Sequence, residues 1–374
     1  MLPKKSVRLE SLFTLSEIIS ASGDREKIKQ NILSSSIDWL SVVEIANTHF
    51  LTAALYYSLL DKDLLNIIDD EELPIYLEQI YTINLDRNKK IIEQSKEIAQ
   101  ILLKKDIKPV FLKGTASLLE NDYRDVGMRF LSDIDFCVFE NDFVPAREQL
   151  LSSGYIPNMT TGIDVELHHH WWPMYHSDWD MVIELHRDIL TYRYSSILLC
   201  KGTNYQKSKK YTNIFLLTPT YRLLHAYMHS EMADRHYYSK TINLRQLYEM
   251  AILLQKYQYE IDWIVIEKLL KAHYLYKEFN NTLNLIIKLF HMEIPQIKNN
   301  SRSKIHVKLR LLHFHNSDTL LLKTYFVYQR CINSISRSVI KRLYGADSTK
   351  DYLYFMVKRI PYLLKKTFKK ERKI

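Results

Sequence analysis

Two aspartates stand one residue apart in Leu131-Ser-Asp-Ile-Asp-Phe-Cys-Val138, where polar or acidic residues alternate with large apolar ones. Such alternation predicts a β-strand, on which positions i and i+2 share a face about 7 Å apart at the backbone. Asp133 and Asp135 then point one way while Ile134 and Phe136 bury the other face. Like charges held side by side are unfavourable unless a cation lies between them. Carboxylate oxygens suit Mg²⁺, which takes one or two carboxylates with phosphate oxygens and water, and Mn²⁺ accepts the same donors. The competing reading is an edge strand whose aspartates merely face solvent. Aspartate is depleted in strands, so two in one β-prone run favour the metal.

About twenty residues upstream, Pro109-Val-Phe-Leu112 is a short β-prone run that stops at Lys113-Gly-Thr115. A strand end, a glycine, a hydroxyl and an ammonium ahead of a helical turn can form an anion site. Alone this is weak; facing an Asp-x-Asp strand it reads as a phosphate cradle beside a metal. Asp180–His186 alternates again, placing Asp180, Val182, Glu184 and His186 on one face. Glu184 is either a further metal ligand or a carboxylate paired with Arg187 or His186. For His186 itself, orienting a carboxylate, contacting substrate and a plain structural role all stay open.

The flanks that must position these residues read as helices. Apolar residues recur at helical spacing from about residue 10 to 105, including a long helix from Leu85 to Lys105. Phe143 to Ser153 is helical and ends at Gly154, a C-cap position. From Pro219 onward helical periodicity persists. The chain has only 7 glycines, and Gly114, Gly127, Gly154 and Gly162 fall within one stretch of about fifty residues, where the backbone must bend or something must approach closely. In 374 residues, 47% apolar and 25% charged content are ordinary for a soluble globular chain. Three separated cysteines argue against a disulfide framework and fit a reducing cytoplasm. Met-Leu-Pro-Lys-Lys opens no apolar leader, and no run of eighteen apolar residues suggests a membrane span.

The order Lys113-Gly-Thr115, Tyr123, Arg129, Ser132-Asp-Ile-Asp135 and Ile183-Glu-Leu-His186 resembles the DNA polymerase β-like nucleotidyltransferase superfamily. More narrowly it resembles a bacterial family of uncharacterised nucleotidyltransferases, which continues into helices like Leu224-His-Ala and Leu244-Arg-Gln-Leu-Tyr-Glu249. The likeness runs from about residue 40 to 260. Two departures stand out: Thr115 where the superfamily has serine or glycine, and Glu249 where the narrower family tends to have aspartate. The resemblance implies an α+β fold, a polymerase β-like core with a small mixed sheet flanked by N- and C-terminal helical regions. The expected division is a helical region 1–104, an α/β core 105–212, a helical domain 213–357 and a basic tail 358–374.

It further implies Mg²⁺-dependent (or Mn²⁺-dependent) transfer of an NMP from an NTP to an acceptor hydroxyl, with Asp133, Asp135 and Glu184 as metal ligands and catalytic residues. Lys113, Gly114, Thr115, Arg129, Ser132 and Arg245 would bind the nucleotide. The acceptor is open: a small molecule, a surface-polymer precursor, a protein or a tRNA. Other readings are an inactive regulatory protein that keeps the fold, and a nucleic-acid binder. The net charge of +9 is concentrated in Lys358–Ile374, with eight lysines and arginines against Glu371 alone. Such a tail, with Tyr362, Leu363, Leu364 and Phe368 interleaved, suits either a solvated helix end or the inner face of a membrane. His168-His-His170 before Trp171-Trp172 can bind zinc, but consecutive histidines diverge; a loop lining the acceptor cleft is the favoured reading. His225 and His229, one helical turn apart, are either a metal pair or bundle histidines.

Overall fold

A computed structural model describes residues 5–159, 170–190, 192–198, 204–297, 300–315 and 348–358, together with residues 335 and 340. The N-terminal part is helical: α1 (Lys5–Ile19), α2 (Arg25–Leu33), α3 (Trp39–Thr48), α4 (Thr52–Asp61) and the long α5 (Glu72–Leu103). Asp70 sets the start of α5 by accepting from the amides of Glu72 and Leu73 at 3.0 and 2.9 Å, a cap worth about 1 kcal/mol. The helix thus begins a dozen or so residues before the Leu85 expected from periodicity.

The α/β part follows as β1 (Val110–Phe111), α6 (Lys113–Leu119), β2 (Asp133–Cys137), α7 (Phe143–Ser152), β3 (Ile156–Pro157), β4 (Met174–Tyr175), β5 (Val182–His186), β6 (Tyr205–Lys207) and β7 (Phe215–Leu217). These strands form one mixed sheet in the order β3-β4-β5-β2-β1-β7-β6. Helices then resume as α8 (Pro219–Tyr227), α9 (His236–Ser239), α10 (Leu244–Lys256), α11 (Trp263–Ala272), α12 (Tyr276–Phe290) and α13 (Ser301–His315), with a π-helical turn, Met228–Ala233, between α8 and α9. The architecture is α+β. Strand β7 lies beyond residue 212, because Phe-Leu-Leu is buried throughout and shows no alternation from which a strand could be read.

Two apolar cores hold the assembly. One packs Ile91, Ile98 and Leu102 of α5 against Phe111, Ile134, Phe136, Ile183 and Leu185 of the sheet. Full burial of side chains such as Ile134 and Phe136 stabilises by roughly 1.5–3 kcal/mol each. The other core joins α1, α3 and α4 to α8, α10 and α12. The chain turns sharply out of α7 at Gly154 (φ +96°), and the Tyr155 amide closes back on Leu150 at 3.1 Å.

Candidate active site

The two acidic strands lie side by side. β2 pairs with β5 in parallel, with Asp135 opposite Glu184 and Cys137 opposite His186. Parallel pairing in this register brings the inward carboxylates of both strands to one end of the sheet. Asp135 is 3% exposed and held on every side. Its carbonyl accepts from the Leu112 amide at 2.9 Å, and its amide donates to Thr115 Oγ1 at 3.3 Å. Its Oδ1 accepts from Lys113 Nζ at 2.7 Å and from His186 Nε2 at 2.8 Å.

Around it the geometry is looser. Asp133 sits at the half-buried rim and takes the Ser132 hydroxyl at 3.0 Å. Glu184 Oε2 lies 3.7 Å from the Nε2 atoms of both His170 and His186. One ligand atom each from Asp135, Glu184 and His186 falls within 4.8 Å of the others. Asp133 stands outside that group in the present side-chain positions. The donors are carboxylate oxygens with one imidazole nitrogen, a set that fits a divalent cation.

Electrostatics separate the three carboxyls. Burial alone would raise Asp135, but Lys113 and His186 hold it well below the usual carboxylate range. Burial and then the Asp135 charge push Asp133 upward. Glu184 is pushed up to about 7 by burial, then by Asp135 and Asp133. Burial lowers His186 against the pull of Asp135. Three acidic side chains thus share one ammonium, and the imbalance is what a bound cation relieves.

The residues expected to cradle phosphate are not on a free loop. Lys113-Gly-Thr115 is the first turn of α6, and the positive φ at the strand-to-helix turn belongs to Lys113 (+49°), not to Gly114. Gly114 is small for another reason: a Cβ there would meet Arg129 Nη2 at 2.8 Å. Thr115 is fully buried with its hydroxyl on the Asp135 amide. Arg129 is buried too, its Nε and Nη2 donating to Glu249 Oε2 of α10 at 3.1 and 2.7 Å. Arg245, one turn before Glu249, reaches the Phe130 carbonyl at 3.5 Å and lies over the Phe50 ring. Arg129 and Thr115 are thus engaged in holding the site's walls.

Several contributors went unread in the sequence. Asn88 of α5 donates to the Val126 and Arg129 carbonyls at 2.6 and 2.7 Å, and Asn84 to the Gly127 carbonyl at 2.6 Å. Gln94, farther along α5, donates to the Met181 carbonyl at 3.0 Å. The available signal was amides at Asn84 and Asn88, one turn apart on a buried helix face. His170 bridges to His186 beside the site, and Trp171 stacks under Arg147. His168, His169 and the basic tail beyond Lys358 lie outside the described residues. No helix among the described residues is long and apolar enough to cross a membrane.

No curated protein and no solved structure matches this chain. A family model does, over residues 35–291, and that span contains every strand and every residue of the site described above. The chain belongs to a family of uncharacterised nucleotidyltransferases.

Proposed function

We propose that the protein transfers a nucleoside monophosphate from an NTP to an acceptor hydroxyl, releasing pyrophosphate. The observation that carries this is the register placing Asp135 opposite Glu184, with Asp133 two residues away on the same strand. Asp133, Asp135 and Glu184 would hold Mg²⁺ or Mn²⁺. A divalent cation held there would neutralise triphosphate charge and lower the pKa of the acceptor hydroxyl. In the transfer, the acceptor oxygen bonds to the α-phosphorus as the bond to the β-phosphate oxygen breaks, and pyrophosphate leaves. The hydroxyl proton passes to Glu184, a carboxylate on the strand beside Asp133 and Asp135.

The other residues act around that step. Lys113 supplies the ammonium beside the carboxylates and offsets charge on the phosphates. Gly114 and Thr115 set the turn against β2, Thr115 through the Asp135 amide. Arg129 props Gly114 from behind while Ser132 and Arg245 line the rim where the nucleotide enters. His186 orients Asp135. The acceptor lies in the cytoplasm and is a small molecule, a surface-polymer precursor, a protein or an RNA.

Incubation with each α-labelled NTP, Mg²⁺ or Mn²⁺ and cell extract tests this. Label is expected in one acceptor class, whether lipid-linked sugar, protein or RNA, and absent with Glu184→Gln. Failure of all four nucleotides to leave label in anything would sink the assignment.

A further inference from the structure

Beside Lys113, a cavity of about 20 Å³ lies between α6, α8 and α10. Its polar lining is Lys113, Arg222, His225, His229, Gln246 and Glu249. The charged members are already matched: Arg222 with Asp122, Glu249 with Arg129 and Lys113 with Asp135. What remains to meet a ligand is neutral. His225 is 2% exposed, and its Nε2 has no hydrogen-bond partner among the described residues. Gln246 contributes a carboxamide that makes no side-chain hydrogen bond to a described residue. Burial first, then His229 and Lys113, keeps His225 well below its ordinary pKa; His229 is lowered to about 3 by burial and then Lys113. Both rings are therefore neutral at pH 7, each with a lone pair to offer.

Size decides the class of ligand group. A water needs about 10–15 Å³, so this cavity admits a hydroxyl and excludes a nucleobase ring. Phosphate is excluded by charge, since the cations that line the cavity among the described residues, Lys113 and Arg222, are each paired with a carboxylate. We propose that the cavity takes a sugar hydroxyl of the nucleotide through His225 and Gln246, so that the protein selects ribonucleoside over deoxyribonucleoside triphosphates. This rests on the nucleotidyl-transfer reading, since Lys113, whose ammonium lies beside the Asp135 carboxylate, also lines the cavity. A deoxy analogue leaves the buried His225 Nε2 without a partner, and such a group discriminates on the order of tenfold or more.

The full-length protein is titrated calorimetrically with Mg²⁺ and the α,β-methylene triphosphates of the four ribonucleosides, then with their 2′-deoxy and 3′-deoxy counterparts. One deoxy series is expected to bind at least about tenfold more weakly. His225→Phe should bring ribonucleotide affinity down to the deoxy level and erase the difference. Gln246→Met, checked for folding by circular dichroism, should reduce the difference in the same direction and decides the matter if His225→Phe does not fold. Equal binding of ribo and deoxy forms by the wild type, or full discrimination kept by a folded variant, overturns the proposal alone. No binding of any triphosphate defeats the nucleotidyl-transfer reading with it.

Discussion

In the helical part of the chain, Glu231 and Arg310 are both fully buried and neutralise one another at 2.5 Å, with Arg310 Nη2 also donating to the Thr241 carbonyl at 2.6 Å. At the end of the sheet, Asp133, Asp135 and Glu184 share the single ammonium of Lys113. Both regions remove carboxylates from water, and only one supplies a matching cation for each. A matched buried pair roughly offsets its own desolvation and fixes geometry. An unmatched cluster stores electrostatic repulsion, which persists only where a ligand relieves it. Charge balance, more than burial, separates the scaffold from the site.

The difference can be broken from either end. The largest effect is expected on turnover. Asp133→Asn should cut label transfer by on the order of 10³-fold, several kcal/mol of lost stabilisation, while the unfolding midpoint holds or rises because one repelling charge is gone. A rate near wild type would remove Asp133 from the machinery.

Next comes the scaffold. Arg310→Met leaves Glu231 buried and unpaired and should cost about 3–5 kcal/mol in urea unfolding. Adding Glu231→Met should restore most of it. A loss below about 1 kcal/mol for the single variant would mean that water reaches Glu231 and the pair is not closed.

The smallest effect is the most diagnostic. Glu184 has its folded pKa raised from 4.5 to about 7, so the fold favours its protonated form. That stabilisation is complete below the ordinary value and is lost as pH rises through about 7. Metal-free protein should lose about 1 kcal/mol between about pH 6 and pH 8 from this group. Mn²⁺ should reverse the sign, raising the melting temperature more at the higher pH, because the cation needs Glu184 ionised. A pH dependence that Glu184→Gln leaves unchanged would assign the effect elsewhere.

Local pattern made part of this legible. Period-two alternation put Asp133, Asp135 and Glu184 on strands, and helical spacing placed the flanking helices. It did not reveal that Asp135 faces Glu184, since register between strands some fifty residues apart is set by packing and not by either strand alone. His186 stayed undecided for the same reason. Nor did local pattern show that Arg129 pairs with Glu249, which lies 120 positions away. A glycine at position 114 left open whether the backbone bends or something approaches closely; the positive φ falls on Lys113, held by Asp135, and Arg129 makes the close approach to Gly114.

The long helix α5 spans 32 residues, about 48 Å. Along it, Asn84 and Asn88 grip the segment that leads into β2, and Gln94 grips the residue just ahead of β5. It works as a ruler, fixing the spacing of two acidic strands while supplying no ligand to either. One residue inserted between Asn88 and Gln94 would rotate the two grips by about 100° relative to each other. The gap between Asp133 and Glu184 is thus set by the length of a helix that carries neither, and residue count along this stretch of α5 matters as much as the apolar face that Ile91 and Ile92 present to the sheet.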